Sequence, residues 1–129
     1  MKRFITVVLF TLLLVGCTSK RSGVDSYRQI SAEEAKKLMN TESDYVILDV
    51  RTPEEYAEKR IKGAINVPND TIGTDEIPKL PDKQQLILVY CRSGRRSKEA
   101  AEKLVKLGYT NIVEFGGIID WNGETEIGD

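Results

Sequence analysis

The sequence predicts an α/β fold, with a mostly parallel central sheet of about five strands flanked by helices on both faces. Three observations predict it. Tyr45-Val46-Ile47-Leu48-Asp49-Val50 and Leu86-Ile87-Leu88-Val89-Tyr90 are apolar on both faces and rich in β-branched residues, as parallel strands buried between helices are. Segments with apolar residues at helical spacing stand between the strands. The length, 129 residues, suits one domain with a single modest core.

Each element has its own signal. Tyr27-Arg28-Gln29-Ile30 reads as a short edge strand. Ser31 with Glu34 three residues on forms a capping box, and Ala35, Leu38 and Met39 follow at helical spacing. Thr52-Pro53-Glu54-Glu55 starts a second helix, with Pro at its first position. The adjacent pairs Glu33-Glu34 and Glu54-Glu55 do not face each other and suit the helix dipole. Ala64-Ile65-Asn66-Val67-Pro68 is a short strand ended by Pro, and residues 69–83 are loop with a helical turn. After the strand at 86–90 comes a polar loop, Cys91 to Arg96. A helix then runs from Ser97 through Leu107, with Gly108 at its C-terminal cap. Asn111 to Phe115 is a last strand, and Gly116-Gly117 turns into a short helix at Ile118-Ile119-Asp120-Trp121. Tyr109 and Trp121 suit packing roles.

The N-terminus carries an address. Met1-Lys2-Arg3 precedes an apolar run from Phe4 to Gly16, too short for a comfortable span of about 20 residues. Its end, Leu14-Val15-Gly16-Cys17, resembles the lipobox of bacterial lipoproteins. That resemblance implies cleavage before Cys17, a lipid on its thiol, and stable anchoring once a second signal or acyl chain is present. The expected division is residues 1–16 as signal peptide, 17–26 as lipidated N-terminus and flexible tether, and 27–129 as the folded domain. The expected location is the cell envelope, membrane-anchored and facing outside the cytoplasm. Removing residues 1–16 shifts the formal charge from −1 to −3.

Composition excludes several chemistries. There is no histidine and there are two cysteines, Cys17 and Cys91. Ser-His-Asp and Cys-His catalysis, His-ligated zinc and a disulfide framework are therefore ruled out. The near-neutral charge argues against a nucleic-acid binder. Neither metal nor cofactor is expected.

Chemistry concentrates at Cys91-Arg92-Ser93-Gly94-Arg95-Arg96-Ser97. A Cys directly after a buried strand and before a helix stands at the base of a loop whose amides, with the helix N-terminus, cradle anions. That field, with Arg92, Arg95 and Arg96 nearby, favours the thiolate, and Gly94 permits the tight curvature. The arginines draw in an anionic substrate.

Two motifs now carry a family resemblance. One is Leu48-Asp49-Val50-Arg51-Thr52-Pro53-Glu54-Glu55-Tyr56 followed by Ile61-Lys62-Gly63-Ala64-Ile65-Asn66-Val67-Pro68; the other is Cys91 to Ser97. With the ending Gly116-Gly117-Ile118 and Trp121, they make residues 27–123 similar to the single-domain rhodanese family of sulfurtransferases. The resemblance implies a Cys91 nucleophile that takes sulfane sulfur from a donor such as thiosulfate, becomes a persulfide and passes the sulfur to a thiol or other thiophilic acceptor. It implies that Arg92, Ser93, Gly94, Arg95 and Arg96 bind the donor and stabilise the persulfide. Asp49, Arg51, Glu55 and Ser97 are expected to support the site, Asp49 and Arg51 as an ion pair that holds the strand–helix turn. The family commonly has His-Ile where this chain has Arg60-Ile61.

Two other readings remain. One is a non-catalytic rhodanese-like module that binds a partner or carries persulfide. The other is a phosphatase or arsenate reductase on the same fold. The related phosphatases have a longer loop closed by an Arg, whereas the residue six after Cys91 is Ser97 and Arg96 comes one position early.

Overall fold

The computed structural model describes residues 26–128. Residues 1–16, Cys17 and the tether through residue 25 lie outside the described residues, as does Asp129.

Short-range signals start the helices where the sequence places them. Ser31 caps α1 (Ala32–Thr41), its side chain accepting from the Glu34 N–H while Glu34 bonds back to the cap. Thr52 and Glu55 repeat the arrangement at α2 (Pro53–Glu58), with Pro53 at a position that needs no N–H donor. The last helix, α3 (Arg95–Lys106), ends on Gly108 at φ +97°. There the Gly108 N–H bonds Val105 O and the Tyr109 N–H bonds Leu104 O, the Schellman pattern.

Five strands form a parallel sheet: β1 (Arg28–Gln29), β2 (Tyr45–Asp49), β4 (Ile65–Asn66), β5 (Leu86–Cys91) and β6 (Ile112–Gly117). Their order is β1-β6-β5-β2-β4, which puts the two most apolar strands in the middle. Both faces are covered. On one, α3 buries Ala100, Ala101 and Leu104 against Leu48, Val50, Ile87 and Val89. On the other, Ala35 of α1 and Tyr56 of α2 pack against Ile47, Leu88, Tyr90 and Phe115. The expected α/β architecture is what the chain adopts.

Three details differ from the sequence reading. β5 runs through Cys91 and α3 begins at Arg95, so the irregular stretch shrinks to Arg92-Ser93-Gly94. The helix starts early because Gly94, at φ +118°, turns the chain directly into it. β6 continues through Gly116 and Gly117 rather than turning there, because one extra residue on β6 between Glu114 and Gly117 lets Gly117 pair with Cys91. A two-stranded antiparallel ribbon, β3 (Arg60–Ile61) with β7 (Thr125–Glu126), closes the domain and had no sequence signal. Each of its strands has two residues, too few for an alternating pattern.

Candidate active site

Parallel topology sets the site at the carboxyl ends of the central strands. Cys91 is the last residue of β5 and is 1% exposed. The Gly94 N–H donates to its sulfur at 3.0 Å. Gly94 is also the N-cap of α3, so the positive end of a 12-residue helix begins beside the sulfur. The backbone conformation at Gly94 is one that residues with a Cβ rarely adopt. A negative charge on Sγ is thus met by a backbone donor and a helix dipole, without a histidine.

Ser97, fully buried on the first turn of α3, stands behind the sulfur. Its Oγ is 3.4 Å from Cys91 Sγ, 3.0 Å from Gly94 O and 3.2 Å from Gly116 O. A fourth neighbour is Glu114 Oε2, at 3.4 Å. Glu114, on β6, is 2% exposed and also accepts from the Gly116 N–H at 2.8 Å. Its only local sequence signal is a charge at an inward position of a strand. An alternating strand places it on the α3 face, where an apolar residue would be expected.

The arginines divide. Arg92 and Arg95 are exposed, as is Ser93. Arg95 pairs with Glu99 one turn along, a solvent-screened contact. Arg96 is half-buried and donates to both carboxylate oxygens of Glu55, at 2.6 and 3.1 Å. Those bonds from Arg96 hold the Glu55 carboxyl at about 2, and Glu55 in turn raises the Arg96 guanidinium. Glu55 therefore does more than cap α2: it ties that helix to the start of α3. A cleft of about 260 Å³ opens here, lined by Val50, Arg51, Thr52, Pro68, Arg95 and Arg96 among others.

Asp49 and Arg51 form the buried ion pair expected at the end of β2. Arg51 Nη2 lies 2.6 Å from Asp49 Oδ2, and Arg51 Nε and backbone N add further bonds. Tyr90 Oη donates to the same Oδ2 at 2.7 Å and accepts from the Ile61 N–H at 3.1 Å. Arg51 also reaches Lys59 O. Burial opposes the Arg51 charge, and hydrogen bonding and charge from Asp49 outweigh it, so its pKa is raised. Burial, with Asp49 alongside, pushes the Tyr90 phenol up. This network fixes β2, β3 and β5 to one another below the loop.

Arg60, at the position where the family commonly has His, lies over the Tyr56 ring at 4.3 Å and donates to Gly128 O. Tyr109 is fully buried with its hydroxyl on Leu80 O, and Trp121 packs on Phe115, as their packing roles require. Among the described residues no group of three His, Cys, Asp or Glu side chains could hold a metal.

The family model for the rhodanese-like domain matches residues 31–124. The thiosulfate sulfurtransferase PspE of Escherichia coli is 40% identical over 73 residues, 57% of this chain and 70% of that protein. A sulfurtransferase of Allochromatium vinosum is 35% identical over 96 residues, 72% of this chain and 86% of that protein. Among solved structures, a rhodanese with anions from E. coli is similar with a TM-score of 0.59 at 36% identity, covering 65% of this chain and 99% of that one.

Proposed function

The chain belongs to the rhodanese-like domain family, and on that premise we propose that it is a sulfurtransferase working through a persulfide on Cys91. The Cys91 thiolate attacks the outer sulfur of a donor such as thiosulfate. A sulfur–sulfur bond forms at Cys91, the donor's own sulfur–sulfur bond breaks, and sulfite leaves with the electron pair. A thiolate or other thiophilic acceptor then attacks the terminal sulfur and returns Cys91 to thiolate. No cofactor enters these steps.

The observation that carries this reading is the Gly94 N–H aimed at Cys91 Sγ from 3.0 Å, at the start of α3. It stabilises the anionic sulfur present before and after transfer. Arg92, Arg95 and Ser93 form the exposed rim that meets the donor, and Arg96, held by Glu55, adds positive charge beside it. That pairing also sets this site apart from a phosphatase, because Arg96 faces Glu55 rather than standing free for a phosphate.

Intact-mass measurement after incubation with thiosulfate tests the proposal. One sulfur atom should be added to the wild type and none to Cys91→Ser, and cyanide should then release thiocyanate. A wild-type protein that gains no sulfur at any donor concentration would overturn it and leave a binding module.

From the lipobox-like end at Cys17 we further propose that residues 1–16 are removed and Cys17 is lipidated. Residues 17–26 would then tether the domain at 27–129 to the outer side of a bacterial membrane.

A further inference from the structure

The most unusual group behind the loop is Glu114. It is 2% exposed and forms no ion pair among the described residues. Its oxygen Oε2 has two partners, the Gly116 N–H at 2.8 Å and Ser97 Oγ at 3.4 Å. A carboxylate buried without a cation is costly, and taking up a proton removes the cost. Cys91 has the opposite need. It is 1% exposed, and no histidine exists to take its proton. One hydroxyl, Ser97 Oγ, lies 3.4 Å from the Cys91 sulfur and 3.4 Å from the Glu114 oxygen.

We propose that Glu114 is the proton acceptor for Cys91, reached through the Ser97 hydroxyl. The Ser97 hydroxyl, which also reaches Gly94 O at 3.0 Å and Gly116 O at 3.2 Å, turns to Glu114 and passes its proton to Oε2 while the Cys91 S–H proton passes to Ser97 Oγ. The S–H bond breaks, an O–H bond forms on Glu114, and Ser97 ends as it began. The pair carries one negative charge before and after, so no charge is created inside the protein. The charge moves to the sulfur, where the Gly94 N–H and the start of α3 receive it. Glu114 is a positioning residue here, because it acts on the sulfur only through Ser97.

The elements packed around the pair bring few competing groups. Tyr27 precedes β1, β1 carries Arg28, β5 carries Tyr90, and α3 begins with Arg95 and Arg96. Tyr90 is engaged with Asp49, Arg95 with Glu99, and Arg96 with Glu55. The other charged side chains of α3 are exposed except Lys103, which binds Asn69. Arg92 is exposed on the loop.

The inference deepens the proposed function, since the thiolate is the form that attacks a donor. Its test reads the thiolate directly, so an absence of sulfur transfer leaves the result intact. Ultraviolet thiolate absorbance of the full chain is titrated against pH, and subtraction of the Cys91→Ser curve removes Cys17 and the tyrosines. In the wild type the Cys91 thiolate should form while the buried carboxyl keeps its proton, because the pair loses its two protons as one coupled system. Once the wild-type thiolate has formed, infrared spectra should show a protonated buried carboxyl that persists to higher pH than in Cys91→Ser. Glu114→Gln should lack that carboxyl signal. A wild type whose thiolate forms with no protonated buried carboxyl, or a carboxyl band that disappears at the same pH in wild type and Cys91→Ser, overturns the proposal. The latter comparison decides the matter even if Glu114→Gln does not fold.

Discussion

The Arg92 carbonyl occupies the space where residue 117 would carry a side chain: a Cβ built on Gly117 lies 1.9 Å from that oxygen. The end of β6 thus presses directly on the loop that holds Cys91. Gly117→Ala should push Arg92 and Ser93 outward and separate the Gly94 N–H from the sulfur. We expect a stability loss of about 1–3 kcal/mol by urea denaturation, as for overpacked sites. Persulfide formation at Cys91 should fall with it. Wild-type values of both would mean that the contact is readily relaxed.

Asp49 is fully buried and answers one cation, Arg51, and one phenol, Tyr90. Asp49→Asn leaves the Arg51 guanidinium without its counter-charge. Breaking a buried pair from one side typically costs about 3–5 kcal/mol. Tyr90→Phe, which leaves the buried Ile61 N–H unpaired, should cost less, about 1–3 kcal/mol. Denaturant midpoints of the two variants check the order; an equal loss would show that the ion pair contributes nothing special.

Glu55 links stability to acid. Arg96 holds its carboxyl at about 2, below the ordinary 4.5, so the folded protein keeps this group ionised where the unfolded chain protonates it. The stabilisation is full above about pH 4.5 and is lost as pH falls toward 2. Both side chains are about one-quarter exposed, which limits the contribution to about 1 kcal/mol. Glu55→Gln keeps the capping geometry and removes the charge. Its stability should depend less on pH than that of the wild type between pH 2 and 5, measured by denaturation at fixed ionic strength; parallel curves would discount the pair.

Cys17→Ser should move the protein from the membrane fraction to the soluble fraction when both forms are expressed in a bacterial host. Intact mass of the membrane form should show the acyl chains. Retention of Cys17→Ser in the membrane would refute lipidation as the anchor.

Local chemistry made much of this molecule readable. The runs at 45–50 and 86–90 are apolar on both faces, which only a sheet covered on both sides satisfies. Ser31 with Glu34, and Thr52-Pro53 with Glu55, mark helix starts within four residues. Cys91, between a buried strand and a helix among three arginines, identifies its own loop. The pairing of Asp49 with Arg51 also follows from their separation of two residues.

The contacts that tune the site lie beyond the reach of such signals. Glu55 meets Arg96 across 41 positions, Tyr90 meets Asp49 across 41, and Ser97 meets Glu114 across 17. Periodicity and capping act over a turn or a strand, so Glu55 looks like a cap and Glu114 like a strand residue out of place. Pairing β5 in register between β2 and β6 brings these positions together. Strands and helix starts therefore follow from the order of residues alone. Which acid serves which arginine, and which carboxylate stands behind the sulfur, is decided by the sheet, because parallel pairing joins residues that the chain keeps far apart.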